Sequence, residues 1–248
     1  MSMPRKIRCA VESITDHGGR VYTVDLKPEV SVPSFRPGQF LHLAVDDYDP
    51  SGFWPESRVF SIASSPRERG RLRLCYSVKG RFTTKMEQVL KAGGEVWVKL
   101  PYGDFVIDGA SDAVLIAGGT GISAFTAFLE ALTPENSRPV TLVYGARSSS
   151  LFLFREMILG QLARVPNFDA VFCTETDASG LATELAAAPR APACLPGRIA
   201  LEPLWPRWNT PGSRVFYLSG PPVTLSVLST DLQGRGVPTA QIRTDAWE

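Results

Sequence analysis

The sequence predicts two domains, an antiparallel Greek-key β-barrel over 1–108 followed by an α/β doubly wound parallel sheet over 109–248. Three observations carry this expectation. A length of 248 residues exceeds the ~150 of a single average domain and suits two modest ones. The first half shows short runs of alternating polarity broken by turn residues, the pattern of half-buried antiparallel strands. Beyond Asp108 the rhythm changes to continuous apolar runs separated by helical patterns, as strands buried on both faces of a parallel sheet require.

In the first half, 7–14 and 21–26 flank His17-Gly18-Gly19-Arg20 and read as a hairpin. Further strands are expected at 39–45, after the Pro37-Gly38 turn, and at 58–62, 71–78, 95–100 and 105–107. Short strands at this density favour a closed barrel, which removes exposed edges. One helix is expected at 83–91, with Met86, Val89 and Leu90 on one face. In the second half, the apolar strand 113–117 leads into a helix at 121–132. Strand 140–144, helix 151–164, strands 170–173 and 215–218, helix 223–233 and strand 240–242 continue the alternation. The alanine- and proline-rich stretch 177–211 reads as a helical turn with loops.

Composition narrows the function classes. With 44% hydrophobic and 21% charged residues the chain has the makings of a globular core. A net charge of +1 supplies no field for nucleic acid or an anionic membrane surface, so neither is expected as a partner. The apolar run 113–117 is too short to cross a bilayer, and Arg5, Lys6 and Arg8 are not followed by the apolar stretch of a secretory signal, so the expected location is the cytoplasm. Cys9, Cys75, Cys173 and Cys194 form no CxxC pair and read as small buried thiols, with no metal site expected. Arg67, Arg69, Arg71 and Arg73 occur at every second position, as a solvated face or as a docking patch for an acidic partner.

Four segments carry chemistry. Gly118-Gly119-Thr120-Gly121-Ile122 follows a buried strand and opens a helix, where backbone amides and the helix's positive end favour an anion, although the spacing departs from GxGxxG. Ser219-Gly220-Pro221-Pro222 repeats that placement after strand 215–218. In the barrel half, Arg58-Val59-Phe60-Ser61 alternates so that a guanidinium and an aromatic ring share one face and Ser61 turns to the other. Gly80-Arg81-Phe82-Thr83-Thr84 stands at a helix start, with Thr83 suited to the N-cap. Each alone is also an ordinary turn, strand or cap.

Together and in this order the segments resemble the ferredoxin-NADP reductase-like flavoprotein family over nearly the full chain. Arg58 to Ser61, continued by Ile62-Ala63-Ser64-Ser65-Pro66, is similar to the family's RxYS flavin motif, and Gly80 to Thr84 to its flavin phosphate loop. Pro101-Tyr102-Gly103-Asp104-Phe105 falls at the end of the barrel, Gly118 to Ile122 matches the nicotinamide pyrophosphate loop, and Ser219 to Pro222 resembles the CGPP segment.

The resemblance implies a barrel that binds FAD and a second domain that binds NADH or NADPH, with the flavin ring between them. It implies that Arg58 holds the FAD pyrophosphate, Phe60 packs on the isoalloxazine and Ser61 hydrogen-bonds near flavin N5, with Val59 in the same motif. Ile62 and Ser64 would contribute backbone contacts, and Gly80, Phe82, Thr83 and Thr84 the phosphate loop. Gly119, Thr120, Gly121 and Ile122 would hold the nicotinamide pyrophosphate, with Ser219, Gly220 and Pro221 beside the nicotinamide. Ser61 and Ser219 are thus the expected catalytic pair. Phe60 replaces the family's tyrosine, Ser219 its cysteine, and Trp247 reads either as the aromatic with which relatives shield the flavin or as part of a frayed surface terminus. Glu175 falls where NADPH-using relatives hold the 2′-phosphate and would instead accept from a free 2′-hydroxyl, so NADH is favoured, although Arg147 and Ser148 to Ser150 offer a phosphate site.

The function so implied is a flavoprotein oxidoreductase that takes hydride from NAD(P)H onto FAD and passes single electrons to a separate protein, a ferredoxin or oxygenase component. Two alternatives stay open. One is an NAD(P)H:flavin or ferric-chelate reductase that treats flavin as a substrate, and the other a nucleotide-sensing module without turnover.

Overall fold

The computed structural model describes residues 3–208 and 214–245. Its contacts divide the chain into one compact unit of Met1–Ile107 with Thr126–Phe128, and a second of Asp108–Phe125 with Leu129–Glu248.

The first unit is an antiparallel six-stranded sheet, β1 (Arg5–Asp16), β2 (Val21–Pro28), β3 (Phe40–Ala44), β4 (Arg58–Ser61), β5 (Leu72–Ser77) and β6 (Glu95–Tyr102), in the order β4-β3-β6-β1-β2-β5. The expected hairpin forms with Asp16 opposite Tyr22, and its turn runs through positive φ at Gly18, Gly19 and Arg20. Alternation along β1 buries Ile7, Cys9 and Val11, which meet Leu26, Leu41, Leu43, Leu72, Leu74, Val98 and Leu100 in one core. The two end strands approach one another, because the Ala63 amide just past β4 donates to the Arg73 carbonyl of β5 at 2.8 Å. The sheet thereby curls toward a barrel. Helix α1 (Arg81–Val89) covers it with Phe82 and Met86.

The second unit is a wholly parallel sheet in the order β10-β9-β8-β7-β11-β12, made of β7 (Asp112–Gly118), β8 (Val140–Ala146), β9 (Phe168–Thr174), β10 (Ala193–Pro196), β11 (Arg214–Ser219) and β12 (Ile242–Asp245). Helices α2 (Ser123–Ala131), α3 (Arg155–Arg164), α4 (Ala178–Leu185) and α5 (Pro222–Gly234) connect the strands. Chain order runs outward from β7 through β8 and β9 on one side, then returns to β11 and β12 on the other. The reversal therefore falls between the carboxyl ends of β7 and β11, where open α/β sheets bind ligands.

Several expectations need correction. Residues 105–107 add no strand; Ile107 is buried and its amide makes a single bond to the Pro37 carbonyl, so a packed turn replaces the ladder. The glycine segment does not begin the α-helix, since Gly119–Ile122 forms a tighter 3-10 turn and α2 starts at Ser123. The helix expected from 151 starts at Arg155, after a 3-10 turn at Ser149–Leu151 and a left-handed Phe154. The stretch expected as a helical turn with loops also holds β10, and the strand expected at 240–242 is a 3-10 turn at Thr239–Gln241 followed by β12. Of the alternating arginines, Arg67 and Arg69 are exposed and three of the four have partners. Arg71 and Arg73 share Asp25 at 3.0 and 2.8 Å, and Arg69 donates to the Val32 carbonyl.

Candidate functional site

In the first unit the chemistry gathers where β4 meets the start of α1. Antiparallel pairing sets Phe60 opposite Leu41 and Arg58 opposite Leu43, so these two side chains share the face that carries the core. Phe60 is half-buried and meets the Tyr76 ring edge-on at 6.4 Å, while burial holds the Tyr76 phenol well above its ordinary range and keeps it neutral. The Arg58 guanidinium lies 5.3 Å from the Phe82 ring, donates to the Ser57 carbonyl at 2.9 Å and meets Glu56 at 3.4 Å. Arg81, the first residue of α1, reaches the same Glu56 oxygen at 2.7 Å.

Thr83 is not the N-cap. Extended Gly80 takes that position, and Thr83, inside the first turn, turns its hydroxyl back to accept from the Lys79 and Gly80 amides at 2.9 and 3.1 Å. That hydroxyl is therefore engaged in shaping the loop. Thr84 closes the turn by donating its amide to the Gly80 carbonyl. A Cβ built on Gly80 would meet nothing within 4 Å, so a ligand can approach the backbone there.

The rest of the flavin motif is placed less freely. Val59 and Ser61 lie on the opposite face of β4, paired with His42 and Phe40, and Ser61 is buried. Ile62 is in the core and its amide donates to the Gln39 carbonyl. Ser64 is buried, its hydroxyl accepting from the Arg73 amide at 3.1 Å, so it ties the segment to β5. Beside the paired His42, burial and then Lys99 lower the imidazole pKa and keep the ring neutral at pH 7.

The second unit builds its site mainly from backbone. A Cβ on Gly121 would stand 2.4 Å from the Ser219 carbonyl oxygen and 2.7 Å from the Gly220 nitrogen. Gly220 has φ of +148°, and a Cβ there would be 3.1 Å from the main chain of Gly118. A Cβ on Gly118 would in turn be 3.1 Å from Pro221 Cδ. The two glycine loops are interlocked, and the missing Cβ at these three glycines is what permits that contact. Gly119 differs, with φ of +55° and nothing within 4 Å of the position its Cβ would take. It is the residue of this loop most open to an incoming phosphate. Thr120 is half-buried, with its carbonyl accepting from Ser123 Oγ at 2.8 Å, and Ile122 is fully buried.

Register places Ser219 opposite Asp245 at the ends of β11 and β12, and Ser219 Oγ donates to Asp245 Oδ2 at 2.9 Å in a buried setting. Asp245 was not legible from its own neighbourhood, because its role depends on strand register. Glu56 and Arg198 were missed for the same kind of reason. Glu175, at the sheet end beyond β9, pairs with Arg198 at 3.3 Å. Trp247 lies outside the described residues. Among the described residues, no group of three or more His, Cys, Asp or Glu could hold a metal, and no helix is long and apolar enough to cross a membrane.

Residues 115–182 match the model of the oxidoreductase NAD-binding domain. The chain is 32% identical over 165 residues to an NAD(P)H-flavin reductase of Vibrio harveyi, covering 62% of this chain and 65% of that protein. It is 25% identical over 253 residues to the reductase component of propane 2-monooxygenase from Mycolicibacterium smegmatis, covering 97% of this chain and 67% of that one. The fold superposes on the cytochrome P450 reductase GcoB of Amycolatopsis with a TM-score of 0.78 at 23% identity, over 98% of this chain and 69% of that one. In sequence the chain is thus similar to flavin reductases and oxygenase reductase components, and in fold to a cytochrome P450 reductase. The antiparallel near-barrel followed by a parallel sheet is the architecture shared with that reductase structure. The chain spans about two thirds of the length of the two reductases named here.

Proposed function

We propose that this chain is an FAD-dependent NAD(P)H oxidoreductase that delivers electrons one at a time to a separate protein, of the ferredoxin or oxygenase-component kind. The observation that carries the reading is the pair of interlocked loops at the reversal of the parallel sheet, with Gly119 open toward a phosphate and Ser219 anchored beside it. Support for the flavin half comes from Arg58 and Arg81, whose guanidiniums meet at Glu56, and from Gly80, which is open at the start of α1. The relatives' roles as flavin reductase and oxygenase reductase component point the same way.

Bound flavin supplies an acceptor for two electrons taken together and a donor of single electrons. The chain's own residues bind and orient. Arg58 would fork onto the flavin phosphates and Phe60 would present its ring to the isoalloxazine. Ser61 would hydrogen-bond the flavin ring near its nitrogen N5. Asp245 holds the Ser219 hydroxyl, which would then meet the nicotinamide in one orientation. Glu175, paired with Arg198, would accept from the adenosine ribose and so favour NADH. Free cysteines, three of them buried, suit a reducing compartment such as the cytoplasm.

An absorption spectrum of the purified chain, recorded before and after NADH, tests this. A yellow protein bleached by NADH is the expected result. Colourless protein that oxidises NADH only with added free flavin would instead establish flavin as a substrate, a reading favoured by the 32% identity to an NAD(P)H-flavin reductase. Nucleotide binding without any turnover would reduce the chain to a sensing module and overturn the proposal.

A further inference from the structure

The carboxylate of Glu56 is a contact that the binding of flavin does not require. It lies on the loop that delivers Arg58, and this loop is well anchored. Tyr48 packs edge-on against both Trp54 and Trp97, at 5.2 and 5.1 Å between ring centres. Asp49 caps the following turn by accepting from the Ser51 amide at 2.9 Å, and this hydrogen bond holds the Asp49 carboxyl below its usual pKa. Trp54 Nε1 donates to Ser57 Oγ at 2.9 Å and fixes the last turn before β4. Glu56 is thereby presented to two cations at once, Arg58 at 3.4 Å and Arg81 at 2.7 Å, through a single oxygen.

A carboxylate bridging two guanidiniums does what a phosphate oxygen would do between them. We infer that Glu56 acts as an internal competitor for the flavin phosphates and sets how loosely phosphorylated flavin is held. The inference rests on the proposed flavin site and adds a residue that opposes binding there. Flavin phosphates and Glu56 carry like charges and draw on the same two guanidiniums, so each phosphate contact weakens a Glu56 contact. All three side chains are partly exposed, so the competition is screened and modest. Riboflavin has no phosphate and escapes it.

The test is a set of fluorescence titrations of the wild-type chain, Glu56→Gln and Arg58→Ala with FAD, FMN and riboflavin. Glu56→Gln keeps the size of the side chain and removes its charge. It should tighten FAD and FMN by about two- to fivefold, leave riboflavin unchanged, and lose its advantage as salt is raised. Unchanged or weaker FAD binding would overturn the inference and assign Glu56 to holding Arg58 in place. Equal tightening of riboflavin would also overturn it, because loop shape rather than charge would then be responsible. The flavin site itself is judged separately. If wild type binds no flavin, or Arg58→Ala binds FAD as well as wild type, the site reading fails and takes this inference with it.

Discussion

The two half-sites are made of different material. In the first unit, charged and aromatic side chains project from a curled antiparallel sheet, with Arg58 and Arg81 exposed and Phe60 half-buried. In the second, the main chain itself is the site, and three glycines let two loops approach closer than any Cβ would permit. A side-chain site can be altered with little effect on the fold. A backbone site cannot, because the atoms that would hold the ligand also hold the sheet end together.

The largest expected effect follows from that difference. Gly121→Ala places a Cβ 2.4 Å from the Ser219 carbonyl, against backbone that cannot rotate away. Overpacking of this kind should cost about 3 kcal/mol, or on the order of 8 °C in Tm, with loss of nicotinamide binding. Gly119→Ala, in open space, should cost only about 1 kcal/mol through its positive φ. Thermal melts of the two variants check the contrast, and equal melting temperatures would show that the loops are not interlocked.

Arg58→Ala should behave in the opposite way. Its guanidinium is partly exposed, so stability should change by no more than about 0.5 kcal/mol. The lost charge-assisted contact to phosphate is worth about 2 kcal/mol, roughly a thirtyfold weaker FAD affinity. Titration with FAD alongside a melt separates the two quantities. A fall in Tm matching the loss in affinity would mean that this half, too, is structural.

Ser219→Ala probes a side chain within the backbone-built half. It removes the donor to a buried Asp245 oxygen, an interaction worth about 1.5 kcal/mol. If the pair orients the hydroxyl at the nicotinamide, flavin reduction in stopped flow should slow by about tenfold while the affinity for NADH holds. A weaker affinity with an unchanged reduction rate would assign the pair to binding alone.

The contrast also explains what the sequence disclosed. Strands such as β1 and β7 were legible because burial is written locally, as alternation in one and a continuous apolar run in the other. Strand β10 was not, since Ala193–Pro196 is only partly buried and lies among prolines that resemble a loop. The glycine loops were found by composition, but the division of labour between Gly119 and Gly121 depends on what lies opposite each. Thr83 carried a correct capping signal read in the wrong direction, since its hydroxyl serves amides upstream of the helix. Asp245 and Glu56 gave no local sign. One depends on parallel register with Ser219, the other on an ion pair to Arg81, 25 positions along the chain.

The smallest expected effect is Phe60→Tyr, and its sign is informative. The ring already packs against the core and stands edge-on to Tyr76, so the aromatic surface is in place and only a hydroxyl is added. If the ring edge faces the isoalloxazine, that hydroxyl gains one hydrogen bond of about 1 kcal/mol, roughly fivefold in affinity. Because the contact is to the flavin ring, riboflavin should tighten as much as FAD, unlike the response expected at Glu56. Should the hydroxyl point into the barrel instead, it would be buried beside Leu41, and the variant would lose stability without gaining affinity. Parallel titrations with riboflavin and FAD, together with a melt, distinguish these outcomes and separate ring recognition from phosphate recognition within the first unit.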